Sequence, residues 1–406
     1  MKRSPVWYIL LSILTLSVLS PLPSSAAAAP SHPPLSVYIA ADPHYIAPEL
    51  TDNGTGFTRL VEAADGKDML RCERIMDAFL SQVIRDHPDA LILPGDLSFN
   101  GAEASLRQLA EKLSEVRKAG IPVFVIPGNH DLDCPMAAKF TGETYTLVPS
   151  VSVAEFVDLY EEYGFREALS RDSASLSYTA QLSPEFRLLM LDVNGNEKPG
   201  TVSEATLFWV EQQLQRAKTD GVSVIAVSHQ TLLSHSFLAS GVAIRNAEPL
   251  LSLYEQYDVL CNLSGHMHIQ HILISENGFP DISGSALITW PNQFGVLTLD
   301  NHMVSYRTER TETGVEAESE QFLRDTALRQ AFTELQALKL KSDLPSMADY
   351  FARVNMAYIS GQLEQINWED PSYQDWQAQQ SIVAYYLQSI RNDPITDHTR
   401  FNIPIH

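Results

Sequence analysis

Apolar residues along the first 230 positions follow two alternating patterns. Short continuous apolar runs at 35–41, 90–93 and 122–126 are typical of buried strands. Between them, at 71–86 and 104–119, apolar residues recur every three or four positions, which is typical of amphipathic helices. Strands that alternate with helices in this way predict an α/β fold with a largely parallel sheet.

The same patterns predict the elements that follow. We expect helices at 153–163 and 204–218, strands at 187–191, 222–227, 259–263 and 286–287, and a closing hairpin at 295–299 and 303–307. Residues 46–70 are mixed in character, and Asn53-Gly54 and Asp65-Gly66 are turn signals. This segment is therefore predicted to be a long loop over the start of the sheet.

The character of the chain changes near residue 314. Residues 318–339, 347–363 and 373–391 have helical spacing, with Pro345 and Pro371 between them. No strand pattern interrupts these segments. We therefore expect one α/β domain at 35–312 and a small all-α C-terminal domain at 315–406.

The N-terminus has the layout of a secretory signal peptide. Lys2 and Arg3 precede an apolar run at 6–20, and small residues follow at 24–29. The run is shorter than the ~20 residues that a membrane-spanning helix needs. Residues 1–29 thus predict export to a secreted or cell-envelope location. An uncleaved membrane anchor is the alternative, because Pro30 makes cleavage directly after Ala29 awkward.

The charge of the chain limits its partners. With 28 Lys+Arg against 50 Asp+Glu the formal net charge is −22, which would repel duplex nucleic acid. An acidic protein can still act on phosphate if a bound cation supplies positive charge locally. The three cysteines fit neither a disulfide framework nor a CxxC metal site, so His, Asp and Asn would have to hold any metal.

Five polar blocks each follow an apolar run, where α/β sheets place their ligand sites. They are Asp42-Pro43-His44, Gly95-Asp96, Gly128-Asn129-His130-Asp131, His229 and Gly265-His266-Met267-His268. Two residues that are two positions apart project in the same direction from an extended segment, so each such pair can offer two ligand atoms to one cavity. Carboxylate, amide and imidazole ligands suit Mn, Fe or Zn rather than Ca.

Each block alone has a simpler interpretation. Asp42 could cap a turn, Asp96 could cap the helix that follows it, and Asn129 could occupy a left-handed turn. Together, in this order and each behind an apolar run, the five blocks favour a metal site.

The order D-x-H, G-D, G-N-H-D, H and G-H-x-H resembles that of the calcineurin-like metallophosphoesterases, over residues 37 to about 310. The GNHD block with a helical C-terminal segment is similar to exported bacterial relatives of the class III cyclic-nucleotide phosphodiesterases. The resemblance implies a four-layer α/β/β/α sandwich with two metal ions, and it implies roles for nine residues. Asp42, His44 and His268 would hold the first metal, Asn129, His229 and His266 the second, and Asp96 would bridge both, while His130 would stand beside the leaving-group oxygen with Asp131 orienting it.

One block departs from the family pattern. The family often has His-His-Pro around the fourth block, whereas this chain has Ser228-His229-Gln230. The ligand histidine is kept, but the neighbour that often shapes the phosphate pocket is a glutamine.

These features predict an exported dinuclear-metal phosphoesterase that hydrolyses a small phosphodiester, with a nucleotide-like or cyclic nucleotide substrate. Two cations about 3.5–4 Å apart would activate a bridging hydroxide for in-line attack on phosphorus. A phosphomonoesterase such as a nucleotidase, on the same centre, is one alternative. A binding protein that keeps the metals without turnover is another, and the sequence leaves the oligomeric state open.

Overall fold

Two β-sheets carry the fold of the computed structural model, which describes residues 34–236, 242–338 and 344–405. The first sheet has six strands in the order β15-β14-β13-β1-β2-β3. These are β1 (Leu35–Ile39), β2 (Ala90–Pro94), β3 (Val123–Ile126), β13 (Gln293–Leu299), β14 (Met303–Arg310) and β15 (Arg400–Pro404). Strands β1, β2 and β3 are parallel to one another, so their carboxyl ends meet at one edge.

The second sheet has seven strands in the order β11-β12-β10-β9-β8-β7-β6. These are β6 (Ser170–Arg171), β7 (Tyr178–Gln181), β8 (Phe186–Leu191), β9 (Ser223–Ser228), β10 (Asn262–Ser264), β11 (His271–Ile274) and β12 (Pro280–Ser283). The central strands β8, β9 and β10 are parallel. A separate two-stranded ribbon consists of β4 (Ala138–Thr141) and β5 (Thr144–Leu147).

Alternate side chains of the second sheet enter two different cores. In β8, Leu188 and Met190 pack in the core shared with the first sheet, whereas Leu189 and Leu191 pack in a second core with the helices outside. Because side chains alternate between the faces of a strand, this division places the two sheets face to face. The predicted four-layer α/β/β/α sandwich is confirmed.

Ten α-helices lie in the described parts of the chain. They are α1 (Thr55–Glu62), α2 (Cys72–Asp86), α3 (Glu103–Lys118), α4 (Val153–Leu159), α5 (Glu204–Asp220), α6 (Glu248–Gln256), α7 (Glu316–Leu338), α8 (Leu344–Ser360), α9 (Pro371–Gln377) and α10 (Ile382–Arg391). Helices α2 and α3 pack in the core of the first sheet, and α5 and α6 cover the second. A search of these described residues finds no helix long and apolar enough to cross a membrane. The predicted signal peptide at 1–29 lies outside them.

Three local predictions were wrong. The segment 46–70 is not all loop, because α1 buries Phe57 and Val61, which lie one helical turn apart. Residues 286–287 are not in a strand, and β12 lies just before them instead. The predicted helix at 373–391 is two helices, since the Ser381 side chain caps the start of α10.

Helices α7 to α10 share an apolar core of their own, centred on Phe351, Tyr373 and Trp376. The chain then returns to the first sheet, where β15 pairs antiparallel with β14. No apolar alternation in the sequence predicts this strand. Residues 34–405 form one compact unit, and the division into domains at 35–312 and 315–406 stays a prediction.

Candidate metal centre

The polar blocks all lie at the carboxyl ends of parallel strands. Asp42 and His44 follow β1, Asp96 follows β2, and Asn129 follows β3, while His229 follows β9, and His266 and His268 follow β10. Since both sheets present these strand ends at the same edge of the sandwich, residues up to 226 positions apart converge on one cavity.

Five of these residues have a left-handed backbone that non-glycine residues rarely adopt. The φ angles are 49° at Asp42, 39° at His44, 48° at Asp96, 66° at His266 and 55° at His268. Such conformations cost about 1–3 kcal/mol each and cluster at functional sites, where the surrounding structure holds them. The sharp turns aim each side chain back into the cavity instead of along the strand.

Two motif glycines make room for the buried carboxylates. A Cβ at Gly128 would lie 2.1 Å from Asp96 Oδ1, and a Cβ at Gly265 would lie 2.3 Å from Asp42 Oδ2. With no side chain there, the backbone N–H of His266 donates to Asp42 and the backbone N–H of His130 donates to Asp96. Both glycines are thus required by close approach.

The first cluster contains Asp42, His44, Asp96 and His268, with possible ligand atoms within 4.8 Å of one another. His44 Nε2 lies 3.0 Å from His268 Nε2 and 3.6 Å from Asp96 Oδ2. His268 Nε2 lies 3.7 Å from Asp42 Oδ1. Asp42, His44 and Asp96 are buried, and His268 is half-buried.

The second cluster contains Asp96, His229 and His266, with Asn129 beside them. His229 Nε2 lies 3.3 Å from Asp96 Oδ1, 3.0 Å from Asn129 Oδ1 and 3.2 Å from His266 Nδ1. The structure therefore brings together all seven predicted ligands, and Asp96 belongs to both clusters.

The hydrogen-bonding chemistry of these atoms fits bound cations. His229 Nδ1 lies 2.9 Å from the Pro94 carbonyl oxygen, which can only accept, so Nδ1 carries the proton. The lone pair of Nε2 then faces the oxygens of Asn129 and Asp96 across about 3 Å. In the first cluster, His268 Nδ1 donates to Asp65, which likewise turns the Nε2 lone pair toward His44. Lone pairs directed at one space require a positive charge between them, and a metal ion supplies it.

The pKa values show the same need for positive charge. Burial lowers the pKa of His44 well below its usual value and that of His266 to about 3, so both imidazoles are neutral and able to bind metal. Burial would also lower the pKa of His229, but the Asp96 carboxylate raises it to about 9. In turn His229 holds the pKa of Asp96 low against the effect of burial.

Asp131 has a different position from the one expected. Its carboxylate accepts the backbone N–H groups of Leu97, Ser98 and Gly128 at 2.8–3.0 Å and is fully buried. It thus ties the loop after β2 to the loop after β3. His130 Nδ1 lies 2.8 Å from the Phe99 carbonyl oxygen, so this carbonyl orients the imidazole in place of Asp131.

His130 itself lies at the rim of the centre. Its Nε2 is 3.9 Å from Asp96 Oδ2, and its side chain is 37% exposed. Because the Phe99 carbonyl can only accept, the proton of neutral His130 lies on Nδ1, and Nε2 carries the lone pair.

Sequence reasoning missed Asp65, whose Oδ2 accepts from His268 Nδ1 at 2.8 Å. The carboxylate fixes the ring orientation and the tautomer of His268, as such partners do for metal-binding histidines. The only signal was the Asp65-Gly66 turn. Nothing in the local pattern shows that this turn reaches a histidine 203 positions away.

A third group does not fit a metal ion. His271, Asp393 and His398 bring three possible ligand atoms together. However, the backbone N–H of Ile272 donates to His398 Nδ1 at 3.0 Å, so the proton of neutral His398 lies on Nε2, the nitrogen that faces Asp393 at 3.6 Å. A protonated nitrogen cannot bind a cation.

The model of the calcineurin-like phosphoesterase family matches residues 35–270, which is more than half of the chain. The chain therefore belongs to the calcineurin-like phosphoesterases, and the resemblance of its motifs to that family is confirmed.

Two relatives have names that state an activity. The chain is 26% identical over 190 residues to a protein of Arcobacter nitrofigilis named "Probable glycerophosphodiester phosphodiesterase", and the match covers 46% of this chain and 58% of that protein. It is 23% identical over 230 residues to a cAMP/cGMP dual specificity phosphodiesterase of Mycobacterium tuberculosis, covering 56% of this chain and 62% of that one. Both matches span less than two thirds of the relatives' length.

Two solved structures with a similar fold are distant from this chain in sequence. A dimetal phosphatase of Danio rerio has a TM-score of 0.49 at 16% identity and covers 68% of this chain and 96% of its own. A purple acid phosphatase from yellow lupin (Lupinus luteus) has a TM-score of 0.47 at 17% identity, and the match covers 70% of this chain and 53% of that one.

Proposed function

We propose that this protein is a metal-dependent phosphodiesterase that holds two metal ions and hydrolyses a small phosphodiester. One observation carries the proposal: two ligand clusters share the buried Asp96 and lie beside a half-exposed His130. The names of the two relatives, both phosphodiesterases, support the diester in preference to a monoester. Neither name decides between a glycerophosphodiester and a cyclic nucleotide.

The residues divide the chemistry among them. Asp42, His44, His268 and Asp96 would hold one ion, and Asn129, His229, His266 and Asp96 the other. When bound, two such ions neutralise the phosphoryl oxygens and lower the pKa of water. The donor set of imidazole, carboxylate and amide favours Mn, Fe or Zn.

His130 would transfer a proton from Nε2 to the leaving group. A departing alkoxide needs a proton, and an imidazolium beside it supplies one near neutral pH. The Phe99 carbonyl holds the ring through Nδ1 in both protonation states, so the orientation of Nε2 does not change when the proton leaves.

A substrate comparison tests the proposal. We expect metal-reconstituted protein to hydrolyse bis-p-nitrophenyl phosphate with a higher kcat/KM than p-nitrophenyl phosphate. A preference for the monoester would make the protein a phosphomonoesterase instead. Stoichiometric metal without hydrolysis of either ester would make it a binding protein. Asp96→Asn is the control, because loss of the shared ligand should lower the content of both metals in elemental analysis and abolish turnover.

We also propose that the protein is exported, on the sequence pattern of residues 1–29 alone. Cell fractionation with N-terminal sequencing of the product tests this. A processed N-terminus in the envelope or the medium supports export with cleavage, and an intact N-terminus in the cytoplasm contradicts it.

A further inference from the structure

A cavity of about 510 Å³ opens directly beside His130 and Asn129. Four segments enclose it: helix α1, the loop after β2, the loop after β3, and the β4–β5 ribbon. We propose that this cavity holds the alcohol half of the substrate, and that it selects an uncharged, aromatic or otherwise apolar alcohol. The inference rests on the proposed function and adds the chemical class of the leaving group.

The walls of the cavity are apolar and aromatic. Phe99, Phe140 and Tyr145 contribute rings, and Phe140 lies 6.2–6.3 Å from the other two, centroid to centroid. Leu60 and Met136 complete the apolar wall. Tyr145 is 54% exposed and Met136 58% exposed, which is unusual for side chains of this size. Exposed apolar groups that converge on one concave surface mark a binding site.

The charge of the lining argues against an anionic ligand. Glu143 is the one charged residue besides His130 among the described residues that line the cavity. The nearest lysine in sequence, Lys139, lies on the other face of β4, since the buried Ala138 and Phe140 alternate with exposed residues. A second phosphate or a carboxylate on the alcohol would thus meet the Glu143 carboxylate and find no lysine or arginine in the lining.

The position of the cavity identifies the half of the substrate that it holds. Asn129, beside the second ligand cluster, and His130, 3.9 Å from Asp96, both line the cavity. An ester group of a phosphate held between the two clusters would therefore extend into this space on the side of His130, which the proposed function places beside the leaving oxygen. The volume is within the ~300–1,000 Å³ range of pockets for small molecules and is large enough for a fused two-ring system.

Product alcohols test the inference without depending on turnover. Binding of 2-naphthol to the full-length protein is measured by fluorescence titration, beside binding of its anionic analogue 6-hydroxynaphthalene-2-sulfonate. We expect 2-naphthol to bind at least about tenfold more tightly than the sulfonate. It should also inhibit hydrolysis of bis-p-nitrophenyl phosphate competitively.

Variants on two separate elements locate the binding. Tyr145→Ala on β5 should weaken 2-naphthol binding about fivefold to tenfold, since a ring contact is lost. Leu60→Lys on α1 should weaken naphthol binding and strengthen sulfonate binding. Leu147→Ala is the matched control, because Leu147 lies on β5, is 62% exposed and does not line the cavity.

The results separate this inference from the proposed function. Naphthol binding that Tyr145→Ala weakens, in a protein that hydrolyses no ester, would support the cavity's preference and contradict the function. Suppose instead that the protein hydrolyses the diester but binds 2-naphthol and the sulfonate with equal affinity, or that neither Tyr145→Ala nor Leu60→Lys changes the two affinities. Either result would overturn the inference about the cavity and leave the proposed function unaffected.

Discussion

At the scale of single residues, the geometry of the centre depends on how closely backbone N–H groups approach the buried carboxylates. The N–H of His266 can bond to Asp42 only because Gly265 has no side chain. Likewise, the N–H of His130 can bond to Asp96 only because Gly128 has no side chain. The glycines of the G-N-H-D and G-H-x-H blocks are therefore part of the metal centre although they offer no ligand atom.

Gly265→Ala should displace Asp42 and lower the content of the first metal. The added Cβ would lie 2.3 Å from Oδ2 of a carboxylate whose two oxygens both accept from the His266 N–H, so the carboxylate must move. Elemental analysis of the purified variant measures the loss. Gly284→Ala is the matched control, since its Cβ would have 3.2 Å to the nearest atom, and full metal content in Gly265→Ala would contradict the argument.

Asp131 and His130 should respond to substitution in opposite ways. Asp131→Asn replaces one carboxylate oxygen by an NH2 group, which cannot accept from the backbone N–H groups around it. Each N–H group left without an acceptor lowers the free energy of unfolding by about 1–3 kcal/mol. Urea unfolding should therefore show a lower free energy of unfolding.

His130→Ala should keep stability and metal but slow turnover by about 10²–10⁴, most for poor leaving groups. Rates measured over a series of aryl diesters of differing leaving-group pKa check this. An equal loss for good and poor leaving groups would contradict a proton-donor role.

At the scale of elements, segment 46–70 acts on the centre through Asp65. Gly66, with φ 97°, turns the chain beside Leu323 of α7, and this turn aims Asp65 at His268. Burial alone would raise the pKa of Asp65, but His268 holds this pKa below its usual range. The carboxylate therefore remains charged.

Asp65→Asn should lower the affinity of the first site for its metal ion about 10- to 100-fold. This is the usual effect of removing the hydrogen-bond partner of a ligand histidine. Chelator competition measures the affinity of each site. The second metal should be unaffected, because His229 is oriented by the Pro94 carbonyl. Glu62→Gln on the exposed face of α1 is the control, and an equal loss at both sites would contradict the assignment.

Local pattern predicted the strands that precede the ligands because each lies in a continuous apolar run. Strand β2 and helix α3 begin and end within one or two residues of expectation. Helix α1 was missed because eight residues between two turn signals contain only two buried positions. The β4–β5 ribbon was missed because each strand has only four residues, which is too short a stretch for alternation to be distinctive, and β5 is exposed on both faces. Asp65 and the cavity both depend on these missed pieces.

Across the whole molecule, the C-terminal helices support the first metal cluster. Gln270, two residues after His268, donates its backbone N–H to Ile359 and its side-chain amide to the His398 carbonyl. Leu323, Met356 and Ile359 pack around Ile269, the residue next to His268. The helices thus hold the loop that carries a metal ligand.

A chain of hydrogen bonds fastens this C-terminal segment to the second sheet, and it joins the buried His235, His271 and Asp281 to the half-buried Asp393. His235 Nε2 faces Asp281 at 3.1 Å, and His271 Nε2 faces Asp393 at 2.7 Å. Both carboxylates accept, so each Nε2 donates to its carboxylate, and the two Nδ1 atoms lie 3.1 Å apart. His398 stacks on His271 with ring centroids 4.0 Å apart.

His398 gives this junction a pH dependence with a definite sign. Burial lowers the pKa of His398 to about 4, below the ~6.5 of an exposed histidine. Its contribution to stability is therefore complete above about pH 6.5 and is lost as the pH falls toward 4, since the unfolded chain takes up the proton first. Burial shifts the pKa of His271 in the same direction.

His398→Asn should reduce the pH dependence without removing the junction. The Asn Oδ1 can still accept the Ile272 N–H, while the group that titrates is gone. Between pH 7 and pH 5 we expect the free energy of unfolding to fall less in the variant than in wild type, by about 1–2 kcal/mol. Urea unfolding at both pH values, with equal metal loading, measures the difference, and His302→Asn, at an exposed histidine, is the control. Parallel pH profiles for wild type and His398→Asn would show that His398 does not stay neutral in the folded protein, and that the junction is not where this chain responds to acid.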